Sequence, residues 1–164
     1  MSYVSTLLAA SARVSLITAF SLAGLNSAMS APQPEQPNII VMMADDMGYG
    51  DLSTYGHPNI VTPNLDAMAT EGIKLTSFYA GQAVCTPSRA ALMTGRYAIR
   101  SGMQQVLMPD SDRGLPQSEF TMAEMLKSQG YQTAMVGKWH LGDKAGFLPV
   151  DHGFDQYFGL LYSN

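Results

Sequence analysis

The run Asn38-Ile39-Ile40-Val41-Met42-Met43-Ala44 constrains this chain more than any other segment. It is apolar after its first residue, rich in β-branched side chains, and stops abruptly at Asp45-Asp46. An unbroken apolar run of strand length needs cover on both faces, which is the condition of a strand inside a parallel sheet. The residues that follow alternate helix and strand signals at the spacing such a sheet requires. After a glycine-rich loop (Gly48, Gly50, Gly56), Thr62-Pro63 opens a helix and Gly72 closes it. Residues 73–79 alternate apolar and polar and predict a second strand. Thr86 is the expected cap of a second helix running from Pro87 to about Thr94, with Gly95 as its stop. Thr121-Met122-Ala123-Glu124 is a capping box that starts a third helix. Met122, Met125 and Leu126 form its inward stripe and Gly130 ends it. Residues 132–136 predict a third strand. The expected fold class is α/β, with a largely parallel central sheet flanked by helices.

The first 37 residues read differently. Arg13 precedes the apolar stretch 14–25, which is shorter than the roughly 20 residues a bilayer span needs. Small residues then cluster at Ser27, Ala28, Ser30 and Ala31. This order is that of a secretory signal peptide over 1–30, cleaved after Ser30 or Ala28, with an uncleaved membrane anchor as the alternative. Three prolines make 31–37 a stiff linker, because proline blocks both helix and sheet. Residues 38–164 form the folded part. The expected location is outside the cytoplasm, periplasmic or secreted, and the implied partners are signal peptidase and the export machinery.

Composition excludes two classes of function. Only 13% of residues are charged, the net charge is −4, and Lys and Arg are scattered, so no basic stripe exists to bind nucleic acid. Cys85 is the single cysteine, which rules out an intrachain disulfide framework.

Sheets of this kind place ligands beyond the carboxyl ends of their strands. Three polar clusters fall near such ends. Asp45-Asp46 leaves a buried run as two adjacent carboxylates, which repel unless a cation lies between them; hard oxygens suit Ca²⁺ or Mg²⁺. Read alone, the pair is better explained by an Asx turn or a helix cap. In Cys85-Thr86-Pro87-Ser88-Arg89 the cysteine sits just before a helix N-terminus, which favours negative charge, and Arg89 lies one turn in. Read alone, Cys85 fits an ordinary buried thiol. In Gly137-Lys138-Trp139-His140-Leu141-Gly142, Lys138 and His140 are two apart at a strand end and should share a side. Read alone, they fit a solvated lysine and an incidental histidine.

Together these runs resemble the type I sulfatases, the arylsulfatase-like members of the alkaline phosphatase superfamily. The resemblance rests on Asn38-Ile39-Ile40-Val41 with Asp45-Asp46, on Thr62-Pro63-Asn64-Leu65-Asp66, on Cys85-Thr86-Pro87-Ser88-Arg89 continuing to Gly95, and on Gly137-Lys138-Trp139-His140-Leu141-Gly142. It runs from about Asn38 to Asn164 and is most specific at the Cys-x-Pro-Ser-Arg and Gly-Lys-Trp-His-Leu-Gly runs. Family enzymes are several hundred residues long, so the chain resembles the N-terminal part of one, with the alkaline phosphatase-like sheet incomplete.

The resemblance implies a hydrolase of sulfate esters. It implies that a formylglycine-generating enzyme oxidises Cys85 to Cα-formylglycine, whose hydrated form attacks sulfur and later releases sulfate. It implies that Asp45 and Asp46 are Ca²⁺ ligands, with the modified Cys85 also at the metal. It implies that Arg89 holds the diol and the metal carboxylates, and that Lys138 and His140 contact the sulfate and the modified residue. Ser163 matches a sulfate-contacting serine of some members. The implied substrate is a sulfated small molecule or sulfated carbohydrate. Two other readings stay open. One is a phosphonate or phosphate monoester hydrolase of the same superfamily. The other is an inactive truncated piece acting at most as a binding module. The remaining Ca²⁺ ligands and the distal His and Lys of the family are absent, so residues 1–164 alone are expected not to turn over an aryl sulfate.

Overall fold

The computed structural model describes residues 36–163; the segment expected to be a signal peptide and most of the expected proline-rich linker lie outside them. Two compact units divide the chain, Met1–Met43 and Ala44–Asn164.

Of the first unit, residues 36–43 are described. They carry no regular secondary structure, and Ile40 is 82% exposed. The strand expected over 38–44 is therefore not formed. An apolar run becomes a strand only where neighbours take up its N–H and C=O groups and layers cover its faces. The sequence reports that demand and not whether it is met. The same holds for 73–79, where no strand forms and Ile73, Leu75, Phe78 and Tyr79 are exposed.

The second unit is α/β, as expected. Helix α1 is Pro63–Glu71, with Thr62 as N-cap, proline in the first turn and Gly72 as C-cap. The Thr62 side chain makes no capping bond of its own and instead joins Ser53 and Asp66. Helix α2 is Cys85–Thr94. It starts two residues before the expected Pro87, and its N-cap is Val84 in extended conformation, not Thr86. Pro87 is tolerated there because first-turn N–H groups have no intrahelical partner. Gly95 closes the helix at φ 64, donating its N–H to Ala91 O at 2.9 Å, in the left-handed region that favours glycine. Helix α3 is Met122–Ser128, and the capping box is formed: Thr121 N–H donates to Glu124 at 2.8 Å and Glu124 N–H to Thr121 Oγ1 at 3.2 Å. Its inward face is Ala123 and Met122, whereas Met125 is exposed.

Strand β1 is Ala134–Lys138 and strand β2 is Gln156–Leu160. They pair in parallel, Ala134 opposite Gln156 and Lys138 opposite Leu160. The ladder continues past β1, with Trp139 N–H donating to Leu160 O and His140 N–H to Leu161 O. Gly137 faces Gly159 in this register. A Cβ on Gly159 would collide with the Gly137 carbonyl, so the close approach depends on a bare backbone.

The core is Ala90, Met93, Met103, Leu107, Leu115, Ala123, Trp139 and Leu141. Trp139 anchors it: its indole N–H donates to Phe147 O at 2.8 Å, and Phe154 stands edge-on at 6.3 Å. No helix among the described residues is long and apolar enough to cross a membrane. Helix α2 thus packs through Ala90 and Met93 against the segment that leaves β1. That packing brings the start of α2 to the end of the strand.

Candidate active site

Cys85 is the first residue of α2 and is partly buried. Lys138 is the last residue of β1. The lysine Nζ lies 3.4 Å from Cys85 Sγ and 3.0 Å from Asp45 Oδ2. Arg89, one turn into α2, places Nη2 3.1 Å from Asp45 Oδ1 and donates through Nη1 to Lys138 O. One carboxylate therefore bridges two cations, one through each oxygen. Arg89 Nε is buried and has no hydrogen-bond partner.

The electrostatics follow from these contacts. The Lys138 hydrogen bond holds the Asp45 carboxyl below the usual carboxylate range; burial opposes this and Arg89 adds to it. Burial works against the Lys138 ammonium, but its hydrogen bonds to Asp45 and Cys85 outweigh burial, and its pKa moves up. Lys138 thus stays charged beside the sulfur.

His140 is 2% exposed and has φ 56. Strand alternation predicts that it shares a side with Lys138, but β1 ends at Lys138 and the alternation ends with it. Its Nε2 lies 2.9 Å from Leu107 O. A carbonyl only accepts, so Nε2 carries the proton. Nδ1 is buried without a partner and holds the lone pair of the neutral ring. Burial pushes the imidazole pKa down, the Leu107 carbonyl opposes, and Lys138 and Arg89 push it further down. The neutral ring therefore offers an acceptor at its unpartnered edge. Tyr162 stands edge-on to it at 4.8 Å. A shallow cleft beside His140 is lined by Leu107, Ser111, Arg113, Asp143 and Tyr162. Ser163 follows Tyr162 and is partly buried.

Asp46 is exposed, takes φ 56, and makes no hydrogen bond or ion pair among the described residues. Asp45 and Asp46 are hard oxygen donors of the kind Ca²⁺ prefers, but Ca²⁺ takes about 6–8 oxygens. No cluster of three or more His, Cys, Asp or Glu side chains able to hold a metal occurs among the described residues. The pair fits such a site in kind and would supply only part of its shell.

The structure therefore gathers Asp45, Cys85, Arg89 and Lys138 into one contacting group. His140 lies behind it, bound through main-chain groups. Sequence reasoning missed the Leu107 carbonyl, which any residue type could supply, and Tyr162, whose only sign was its place beside Ser163.

Comparison with known proteins gives a consistent answer. The family model described as Sulfatase matches residues 37–164. Arylsulfatase A of Bos taurus is 50% identical over 143 residues, covering 85% of this chain and 28% of its own length. N-acetylgalactosamine-6-sulfatase of Sus scrofa is 47% identical, covering 92% and 30% respectively. Among solved structures, a sulfatase from Pseudoalteromonas sp., PsFucS1, superposes with a TM-score of 0.67 at 42% identity over 74% of this chain and 25% of its own. Ps i-CgsB, solved in complex with k-i-k-neocarrahexaose, gives a TM-score of 0.70 at 39% identity, covering 73% of this chain and 27% of its own. The chain spans little more than a quarter of the length of the curated relatives it matches.

Proposed function

The chain belongs to the sulfatase family, and from that premise we propose that it carries the nucleophile side of an exported, Ca²⁺-dependent sulfate-ester hydrolase. Cys85 is the residue converted to formylglycine. The observation that carries this reading is the contact of the Lys138 ammonium with Cys85 Sγ and Asp45 together. It sets a permanent positive charge beside the one atom the modification would replace.

When present, the hydrated aldehyde supplies paired hydroxyls that a thiol lacks, and Ca²⁺ supplies a Lewis acid next to them. Everything else falls to the side chains. Lys138, protonated, offsets negative charge developing on sulfate oxygens. Arg89 fixes the Asp45 carboxylate and keeps the start of α2 tied to the end of β1 through Lys138 O. Asp45 and Asp46 are the residues that would hold the cation. His140, neutral and with Nε2–H committed to Leu107 O, accepts at Nδ1. In this reading it would accept a proton from a hydroxyl at Nδ1, because Nε2–H is already committed to Leu107 O. Ser163 is proposed as a further sulfate contact.

A sulfated carbohydrate is the favoured substrate class. The names of the porcine relative and the oligosaccharide bound to Ps i-CgsB support it, and aryl sulfates are the convenient probe. Initial rates on an aryl sulfate and on the matching phosphate and phosphonate monoesters, using the longest form of the protein its gene encodes, test the reading. Sulfate turnover that exceeds both others and disappears in Cys85→Ala is expected. Preference for phosphonate, or turnover that survives Cys85→Ala, contradicts it.

A further inference from the structure

We propose that Thr86 is a positioning residue: its hydroxyl fixes the orientation and tautomer of His140. Thr86 occupies the open position of Cys-x-Pro-Ser-Arg, and nothing in the sequence gives it work beyond capping a helix it does not cap. In the structure it is 0% exposed, and its hydroxyl makes two bonds. It donates to His140 O at 3.0 Å and accepts the N–H of Leu107 at 3.1 Å. The carbonyl of Leu107 in turn accepts from His140 Nε2 at 2.9 Å. These three bonds close a ring through α2, the loop at Leu107 and the segment leaving β1.

The ring solves a local problem. His140 sits at φ 56, where a side chain other than glycine is disfavoured. Its carbonyl is turned out of the ladder that its N–H still joins through Leu161 O. The Thr86 hydroxyl receives that carbonyl and at the same time holds the Leu107 peptide that the imidazole needs. Remove the hydroxyl and two buried main-chain groups lose their partner, which is the costly kind of loss. The imidazole then loses its fixed acceptor. With the ring closed, the proton stays on Nε2 and the lone pair stays on Nδ1. A single orientation matters because Lys138, Arg89 and Asp45 all act electrostatically on the ring, and the same three groups form the cluster that contacts Cys85. Only the catalytic meaning of this arrangement rests on the sulfatase reading; the ring itself does not.

The test is ¹⁵N NMR of the full chain labelled at its histidines, at neutral pH, with the His140 resonances assigned by loss in His140→Gln. In the parent protein one ring nitrogen, Nε2, is expected to be pyrrole-like and Nδ1 pyridine-like. Thr86→Ser, which keeps the hydroxyl, should retain this pattern. Thr86→Val, which keeps the volume, should lower the tautomer ratio by about tenfold, the effect of one ordinary buried hydrogen bond. Trp139 fluorescence should stay native in both. A parent-like ratio in Thr86→Val, or its loss in Thr86→Ser, overturns the proposal. Should Thr86→Val fail to fold, amide exchange in the parent protein decides: the Leu107 N–H must exchange at least about tenfold more slowly than an unbonded amide, and fast exchange overturns the proposal. None of these readouts uses turnover, so their failure leaves the sulfatase reading untouched and the converse holds equally.

Discussion

Lys138 Nζ lies 3.4 Å from Cys85 Sγ, although the two residues are 53 apart in the chain. The contact exists because α2 packs against the exit of β1 and because Asp45 draws the lysine inward at 3.0 Å. Its consequence is a cation that is desolvated, paired and still charged, next to the residue proposed to become the nucleophile.

Lys138→Met keeps the apolar stem and removes the charge. Turnover of an aryl sulfate by the longest available form should fall by about 10²–10³, the usual loss when one preorganised transition-state donor is deleted. The Asp45 carboxyl should also titrate higher, since the lysine hydrogen bond is the largest influence holding it down. Unchanged turnover together with an unchanged Asp45 titration, read by ¹³C NMR, would contradict both halves.

Gly159→Ala should destabilise the chain by about 1–3 kcal/mol, the range for forcing extra atoms into a packed site. The new Cβ meets the Gly137 carbonyl across the parallel pair, and backbone cannot step aside as a flexible side chain can. Gly50→Ala is the control, because a Cβ there meets nothing within 4 Å. Urea unfolding followed by circular dichroism should separate the two midpoints. Equal midpoints would show that the sheet is looser than described.

Acid should weaken the fold before the carboxylates titrate. Burial pushes the pKa values of both His140 and His152 down. A histidine depressed in the folded state binds fewer protons there than in the unfolded chain. Its contribution is intact above the unfolded value near 6.5 and is lost as pH falls below it. Stability measured between neutral pH and about pH 5 should therefore decline, and His152→Leu should flatten the slope. A second loss belongs much lower. Lys127 and the Thr133 N–H hold exposed Asp155 at about 2, so its contribution, present above its ordinary 3.8, fades as pH falls toward about 2. Stability that is flat or rising from neutral pH to about 5 would refute the assignment to the buried histidines.

N-terminal sequencing of protein recovered outside the cytoplasm should begin at Met29 or Ala31. An intact Met1 in the membrane fraction would favour an anchor over a cleaved signal.

Some of this was legible in the sequence and some was not, for physical reasons. Helix α3 was readable because Thr121 and Glu124 advertise a local device whose partners are three residues apart. Helix α2 was readable in extent from Gly95, but its cap was misassigned: a hydroxyl in the first turn can serve a distant carbonyl as well as its own helix, and Thr86 serves His140. Strand β1 lies two residues beyond its expected bounds, and β2 gave no signal, since Gln156-Tyr157-Phe158-Gly159-Leu160 is short and interrupted by glycine. The runs 38–44 and 73–79 show the opposite error, apolar patterns with no strand to join. Cys85, Arg89, Lys138 and Asp45 could be named because their side chains are chemically distinctive. The Leu107 carbonyl could not, because every residue carries one.

The central claim is that Cys85 is a precursor and not a thiol in service. Co-expression with a formylglycine-generating enzyme, tryptic digestion and mass spectrometry of the peptide spanning Cys85 test it directly. The account predicts a mass change equal to replacement of sulfur by oxygen with loss of two hydrogens, and capture of that peptide by a hydrazide. A preparation that hydrolyses sulfate esters yet yields only the free thiol at Cys85 would contradict it.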